Sequence, residues 1–388
     1  MTIERLSAPS VVTLPGAARR VMLEVLLNGP LSRKEVAVRL GLDPGHVTRL
    51  TQSLIEEGLL NETDEPNAGS TGRPSRPLTV TPGGRHYVGV KLAPGALHAV
   101  VCDLSATIVA ETYHELPDND PETTVRILAE ALREFDDLSP LALGVTLGAQ
   151  VQHDWTVQVA PIVGWRQVDL GRLIETATGL PTIVTNDMIA LTAAEHWFGS
   201  GRGLSSLAVL TIGAGVGYGL VSNGRIVTNA DMGLGLIGHE AVSDRGQICP
   251  QGHRGCAMSV LTFSAIEAAA SMALGHEISF DDVLELSTQG NAVACAVVDD
   301  AADAIGSLIQ RIATLAMPER IVVSGEGVGL AELTWDRILQ TVSARRPPDS
   351  TNLDVMLRRI EQREWARGAA VTAIQRSMGA SVTDAAGS

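Results

Sequence analysis

Aromatic residues are scarce in this 388-residue chain, with five Trp, three Tyr and four Phe making up 3% of it. Its cores must therefore be built from Leu, Val, Ile and Ala. Cysteine is rarer still: Cys102, Cys249, Cys256 and Cys295 are the whole set. That excludes a disulfide framework and makes the cytoplasm the expected compartment. Long apolar runs are missing. The most apolar stretch, residues 204–221, carries four glycines and reads as two strands and a turn, so no membrane partner is expected. Residues 1–10 hold Glu4 and Arg5 and lack the apolar centre of a secretory signal. Positive charge is also short: the formal net charge is −15, which excludes a protein coated with nucleic acid. The deficit is uneven. Residues 1–85 carry 10 Arg and Lys against 9 Asp and Glu, a net of +1, and the remainder carries −16. A near-neutral head on an acidic body suits a DNA-binding module whose partner domain avoids DNA. The length suits two or three domains, and we read residues 1–83 as the head and 84–388 as the body.

In the head, residues 18–27 place Val21, Met22, Val25 and Leu26 on one helical face, and Asn28-Gly29-Pro30 stops the helix. Ser32-Arg33-Lys34-Glu35 has the form of a capping box opening a second helix. Val36, Ala37 and Leu40 give that helix its buried stripe, and Gly41 ends it in a left-handed conformation. Asp43 is placed to cap a third helix with Pro44 at its first position, and Gly58 closes it. Val47, Leu50 and Leu54 then face inward, leaving Gly45, His46, Thr48, Arg49 and Gln52 outward. Two short helices around a tight turn form a helix-turn-helix, whose second helix enters the major groove by its N-terminal end. Arg49 and Gln52 suit base edges or phosphates. Ser32, Arg33, Pro44, Gly45, His46 and Thr48 complete the candidate contacts on these helices. A polar loop over 61–72 and the extended Arg73-Pro74-Ser75-Arg76-Pro77 lead into a short strand, Leu78-Thr79-Val80. This is a wing, and Arg73 and Arg76 suit a narrow, A·T-rich minor groove. The blander alternative is a small helical bundle with solvated arginines; the agreement of caps, stripes and wing favours DNA.

The body begins with strands expected over 86–92, 98–102 and 108–114. A helix (121–135), a strand (141–146), a helix (170–176), a strand (182–185) and a helix (188–198) follow. The theme then repeats with strands at 207–212, 217–221 and 225–228, later helices and a strand at 320–324. Two meander-plus-helix halves imply a duplicated, two-lobed α/β domain. The first lobe is expected over 84–198 with a returning C-terminal helix at 364–378, and the second over 199–363.

Several motifs then agree. They are Gly213-Ala214-Gly215-Val216-Gly217-Tyr218-Gly219, Gly238-His239-Glu240 and Cys249-Pro250-Gln251-Gly252-His253-Arg254-Gly255-Cys256, with Asn186-Asp187 and Pro161-Ile162-Val163-Gly164-Trp165 upstream. Together with the Gly-Arg-Pro wing, the chain resembles the ROK family (repressors, open reading frames and kinases) in its repressor branch. The resemblance implies a winged helix-turn-helix followed by an actin-like ATPase domain of the sugar-kinase type. It also implies transcriptional control, by default repression, of carbohydrate-related genes. Asn186 and Asp187 match the kinases' catalytic dipeptide. With His239 and Glu240 they are the candidate effector contacts for a sugar or modified sugar. The pair at 186–187 also reads as a helix N-cap, and both roles stay open. The partners implied are double-stranded DNA with a palindromic, A·T-flanked operator, and a second copy or three further copies of the chain.

The pattern also departs from the family's. Its kinases open with Asp-x-Gly-Gly-Thr; here the strand ends Lys91-Leu92-Ala93-Pro94-Gly95, so half the phosphate cradle is gone and no ATP is expected. The turn at 213–215 reads better as a tight hairpin than as a nucleotide site. Leu236, Ile162 and Met258 stand where the resemblance would put polar sugar contacts, which disfavours a bare hexose. Zinc is implied at His239, Cys249 and Cys256, with Gln251 where a further Cys belongs; His253 is near enough in sequence to replace it. An unmetallated loop with two thiols is the alternative. No enzymatic activity is expected. An active sugar kinase carrying a DNA-binding appendage, and a regulator with no small-molecule ligand, are the other readings.

Overall fold

The structure is a computed structural model that describes residue 14 and residues 16–63, 76–244, 246–344 and 346–379. Arg73 of the wing lies outside the described residues. The described residues divide into two compact units, one built from those up to 203 together with 362–379 and the other from those between 204 and 361.

The head supplies three helices, α1 (Gly16–Asn28), α2 (Arg33–Leu40) and α3 (Pro44–Glu56), and an antiparallel pair, β1 (Leu60–Glu62) and β2 (Leu78–Val80). Val21, Met22, Val36, Val47, Leu54, Leu60 and Leu78 bury completely or nearly so and form its core. This is a winged helix-turn-helix. Val21 and Val25 are four residues apart, as are Val36 and Leu40, so helical spacing turns each apolar set to one side.

The same unit continues with β3 (Tyr87–Ala93), β4 (Ala96–Cys102), β5 (Ile108–Glu115), α4 (Pro121–Leu132), β6 (Leu143–Leu147), β7 (Gln150–Gln152), β8 (Thr156–Ala160), β9 (Trp165–Val168), α5 (Leu170–Thr178), β10 (Thr182–Asn186) and α6 (Asp187–Phe198). A five-stranded sheet runs β10-β6-β3-β4-β5, with β3, β4 and β5 an antiparallel meander and β6 and β10 parallel to β3. The helix expected to reach residue 135 tightens after Leu132 into a 3-10 turn, Arg133–Leu138. Acidic residues there oppose the negative end of the helix dipole. The small sheet β7-β8-β9 was not expected, because its strands are short and rich in exposed Gln and Arg. Val157, Ala160 and Trp165 anchor it in the core of the unit.

The second unit contains β11 (Leu207–Ile212), β12 (Val216–Ser222), β13 (Arg225–Ile226), α7 (Met258–Leu261), α8 (Phe263–Leu274), α9 (Phe280–Thr288), α10 (Ala292–Leu315), β14 (Arg320–Ser324), α11 (Val328–Leu333), α12 (Trp335–Ala344) and β15 (Val355–Leu357). Its sheet order is β13-β12-β11-β14-β15, again a meander followed by two parallel strands. The duplication expected from the sequence is therefore present strand for strand. The long α10 supplies Ala301, Ala304, Ile305, Leu308 and Ile309 to the core over this sheet.

The last helix, α13 (Gln362–Ser377), belongs to the first unit. It lies so close to the sheet that a Cβ at Gly89 would stand 1.9 Å from the Ala366 carbonyl oxygen, and one at Gly144 1.8 Å from that of Ala369. No residue but glycine fits there. Among the described residues no helix is long and apolar enough to cross a membrane.

Candidate functional site

Asp43 caps α3 by accepting a hydrogen bond from the His46 amide at 3.0 Å, with Pro44 in the first turn. Gly45 leaves room for that cap, since a Cβ there would sit 3.1 Å from the Asp43 carboxylate. Gly41, at φ +63°, makes the turn that separates α2 from α3. The outcome is one exposed face at the start of α3 carrying Pro44, Gly45, Thr48, Arg49 and Gln52, with His46 half-buried at its margin. Arg49 makes no ion pair among the described residues, whereas Gln52 donates to Glu56 at 3.0 Å and the Thr48 hydroxyl donates to the Pro44 carbonyl at 2.9 Å.

Two of the expected contacts are drawn inward. Ser32 is only 8% exposed, and its hydroxyl accepts from the Glu35 amide while Glu35 accepts from the Ser32 amide, completing the capping box. Arg33 donates through Nε to the buried Thr51 hydroxyl at 3.0 Å and pairs with Glu62 at 2.8 Å, tying α2 to α3 and β1. These two residues shape the head. Arg76 is exposed at the base of the wing, 3.8 Å from Glu62.

In the body's first sheet, β3 and β10 flank β6, which brings Lys91 beside the start of α6. Lys91 Nζ donates to Asp187 Oδ2 at 2.6 Å and lies 5.0 Å from the centre of the Trp365 ring. Both partners are mostly buried, with 11% and 19% of their side chains exposed. Asp187 Oδ1 accepts from the Met188 amide. The resemblance implied that Lys91 stands where the kinases carry an acid; that it reaches the carboxylate 96 positions away was not legible. Gly148 lines the same carboxylate, and Ile162 beside it is 60% exposed. Asn186 serves as the N-cap of α6. Its Oδ1 accepts from Met188, its Nδ2 donates to the Ala149 carbonyl at 3.1 Å, and it is 4% exposed, so the capping role takes up its amide.

In the second unit, residues 213–215 form a tight hairpin in which the Gly213 amide donates to the Gly215 carbonyl at 3.0 Å. The Glu326 carboxylate lies against it: a Cβ at Gly213 would meet Oε2 at 2.6 Å. Sequence reasoning missed Glu326, which follows β14 and reaches the hairpin only because β14 pairs with β11.

The candidate metal-ligating residues also converge in this unit. His239 ends a 3-10 turn, Leu236–His239, and residues 249–253 fold back through Gly252 so that the Cys249 amide donates to the His253 carbonyl at 2.8 Å. One ligand atom from each of His239, Cys249, His253 and Cys256 lies within 4.8 Å of the others. Cys249 Sγ is 3.8 Å from His239 Nδ1 and 3.7 Å from His253 Nδ1. A tetrahedral zinc ion with ordinary bond lengths separates S and N ligands by about 3.5 Å, so the donors fit a metal in number, type and spacing. His253 takes the place left by Gln251, whose amide oxygen stays 3.6 Å from Cys249 Sγ. Burial, and then the neighbouring His253, lower the His239 pKa. Burial pushes the Cys249 thiol up, but hydrogen bonds involving His253, Gln251, Cys256 and Gly252 outweigh it and bring the pKa below its ordinary value. Neutral imidazole and thiolate are the forms that bind metals. Glu240 turns away to pair with Arg311 at 2.8 Å.

Among known proteins, the chain is 28% identical over 314 residues to the DNA-binding transcriptional dual regulator NagC of Escherichia coli K12, covering 77% of each. It is 22% identical over 353 residues to the transcriptional repressor Mlc of the same organism, covering 87% and 86%. It resembles the solved structure of a ROK family transcriptional regulator, a homologue of E. coli Mlc, with a TM-score of 0.78 and 24% identity over 93% of this chain and 96% of that one. A ROK glucokinase from Streptomyces griseus, solved with glucose and AMPPNP, gives a TM-score of 0.63 and 23% identity over 74% and 98%. The body is thus of the actin-like fold shared by sugar kinases. Residues 87–376 match the ROK family throughout, and the chain belongs to the ROK family, among its transcriptional regulators.

Proposed function

We propose that this ROK regulator acts in the cytoplasm as a homodimer or homotetramer that represses carbohydrate-related genes. Residues 1–83 bind a palindromic operator, and the body senses a sugar or modified sugar. The observation that carries the DNA reading is the exposed face of α3, where Arg49 and Gln52 project beside Gly45 and Thr48. Arg49 reaches base edges in the major groove, and Arg76 with Arg73 follows the minor groove of A·T-rich flanks. Sites mapped across the genome supply the operator, and affinity is then measured by gel shift. R49A is expected to lose about 1–3 kcal/mol of operator binding. Unchanged affinity would exclude α3 as the reading helix.

The effector class follows from the relatives, which include an N-acetylglucosamine repressor and a xylose repressor. On this chain the Asp187 carboxylate accepts a hydrogen bond from a sugar hydroxyl. The protein transfers no phosphoryl group. Lys91 already holds the carboxylate that would serve as base, Pro94 offers no amide to a phosphate, and the Glu326 carboxylate repels phosphates at the second glycine turn. Incubation with ATP and glucose or N-acetylglucosamine therefore releases no ADP above background. His239, Cys249, His253 and Cys256 hold one zinc ion, which supplies a structural crosslink and no chemistry. Metal analysis is expected to find one zinc per chain in the wild type and none in C256S.

A further inference from the structure

Two helices that begin at the Lys91–Asp187 pair both finish at the DNA-binding head. α6 starts with Asp187, and the turn just beyond its end carries Arg202. Arg202 donates through Nε to the Leu27 carbonyl at 2.6 Å and through its second guanidinium nitrogen to the Gly29 carbonyl at 3.2 Å. These oxygens lie at the C-terminal end of α1, where carbonyls lack partners within the helix and the dipole is negative. α1 has no basic residue in its own last turn, so Arg202 provides that charge from the body. α13 carries Trp365 in its first turn against Lys91, and just past its end the Gly379 carbonyl accepts from Arg19 of α1 at 2.8 Å.

Neither helix has room to absorb a shift. A Cβ at Gly368 of α13 would stand 2.9 Å from the Ala190 carbonyl of α6, so the two backbones touch. The Arg202 turn is itself pinned. The Ser200 amide donates to the Glu195 carboxylate at 2.9 Å and the Gly201 amide to the Glu195 carbonyl at 2.8 Å, and Glu195 is 2% exposed. α1 in turn packs its buried Val21, Met22, Val25 and Leu26 into the core that carries α3.

We propose that α6 and α13 carry the state of the Lys91–Asp187 site to the head, with Arg202 and Arg19 as the latches that hold α1. This rests on Asp187 being the effector contact. A ligand hydroxyl that takes the Asp187 oxygen from Lys91 moves the first turn of α6. The displacement passes along a close-packed helix pair and changes the hold on α1, and with it the aim of α3. The two states are a latched and an unlatched head. Lys91, Arg202 and Arg19 are positioning residues in this scheme and contact no DNA.

The test needs no identified effector, because K91M breaks the pair directly. Full-length K91M, R202A and R202K are compared with wild type by hydrogen exchange of the α1 amides at 26–29 and by operator affinity. K91M and R202A are expected to speed exchange there about fivefold or more and to shift operator affinity about fivefold in the same direction, the lower range of measured couplings. R202K, which keeps a donor and a charge for the same carbonyls, returns both values towards wild type. R202A leaves exchange in the first turn of α6 unaltered. Wild-type exchange and affinity in R202A overturn the proposal even if K91M fails to fold, since Arg202 is exposed. Opposite affinity shifts in K91M and R202A overturn it too. If the wild type binds operator and only the coupling fails, the regulator reading stands; if the wild type binds no mapped site, both fall.

Discussion

In the first unit the central strand β3 carries, two residues before its end, a lysine that pairs with the carboxylate at the start of α6; in the second, β11 ends in a glycine hairpin with a glutamate lying against it. The sheets around them share one strand order, yet a side chain from another element lies at each strand end, Asp187 of α6 in the first and Glu326 after β14 in the second. Repetition of the backbone thus leaves the chemistry of each strand end to side chains. The units also differ in what stiffens them: close glycine-mediated contact of α13 with the sheet in the first, a His and Cys cluster in the second.

The largest expected effect comes from attacking the first unit where helix meets sheet. G144A forces a Cβ onto the Ala369 carbonyl, and we expect a loss of about 3 kcal/mol, at the upper end for overpacking, read from denaturant unfolding. A cost below about 1 kcal/mol would mean that α13 is free to move away, which would also weaken the signalling role proposed for it.

Next in size is the ion pair. K91M leaves the mostly buried Asp187 without its cation and is expected to cost about 2 kcal/mol. The double variant K91M/D187N recovers much of that, because no lone charge remains. Strict additivity of the two single variants would show that the 2.6 Å contact has no energetic weight.

Removing the zinc proposed for the His and Cys cluster sharpens the comparison from the other side. Chelation is expected to loosen residues 239–256 and lower the unfolding temperature of the second unit, leaving exchange protection in β3 and α13 intact. Equal loosening of both units would contradict their separate stiffening.

The smallest effect concerns pH. Hydrogen bonds from Arg337, and then from Thr341, hold the Asp303 carboxyl below its ordinary range, against the opposing pull of burial. A depressed folded pKa adds stability above the unfolded pKa, and that stability is lost as pH falls through the folded value. D303N should therefore flatten the acid side of the stability profile below about pH 4 and change little at neutral pH. Since the pair is about two-fifths exposed, the effect is modest. An unchanged acid limb would show that the clamp between α10 and α12 carries no proton linkage.

Local signals in the head were almost fully readable. Ser32 and Glu35, Gly41, Asp43 and Pro44 each act on residues within three or four positions, so their caps and turns follow from spacing. The meanders were legible because short apolar runs and turn glycines recur in both halves. What sequence could not supply was each side chain's distant partner. Ser32 and Arg33 were expected on the DNA face, but burial against Thr51 and pairing with Glu62 draw Arg33 into the head.

From the sequence alone followed the winged head, the duplicated α/β body, the family, and a cluster of metal-binding residues lacking one cysteine. Each of those rests on short-range spacing or on contiguous motifs. Only tertiary structure decided that His253 completes the cluster, that Lys91 meets Asp187, that Glu326 lies on the glycine hairpin, and that Arg202 grips the end of α1. The last three join residues about a hundred positions or more apart. No local periodicity encodes such pairs; strand order and helix packing bring them together only once the chain has folded.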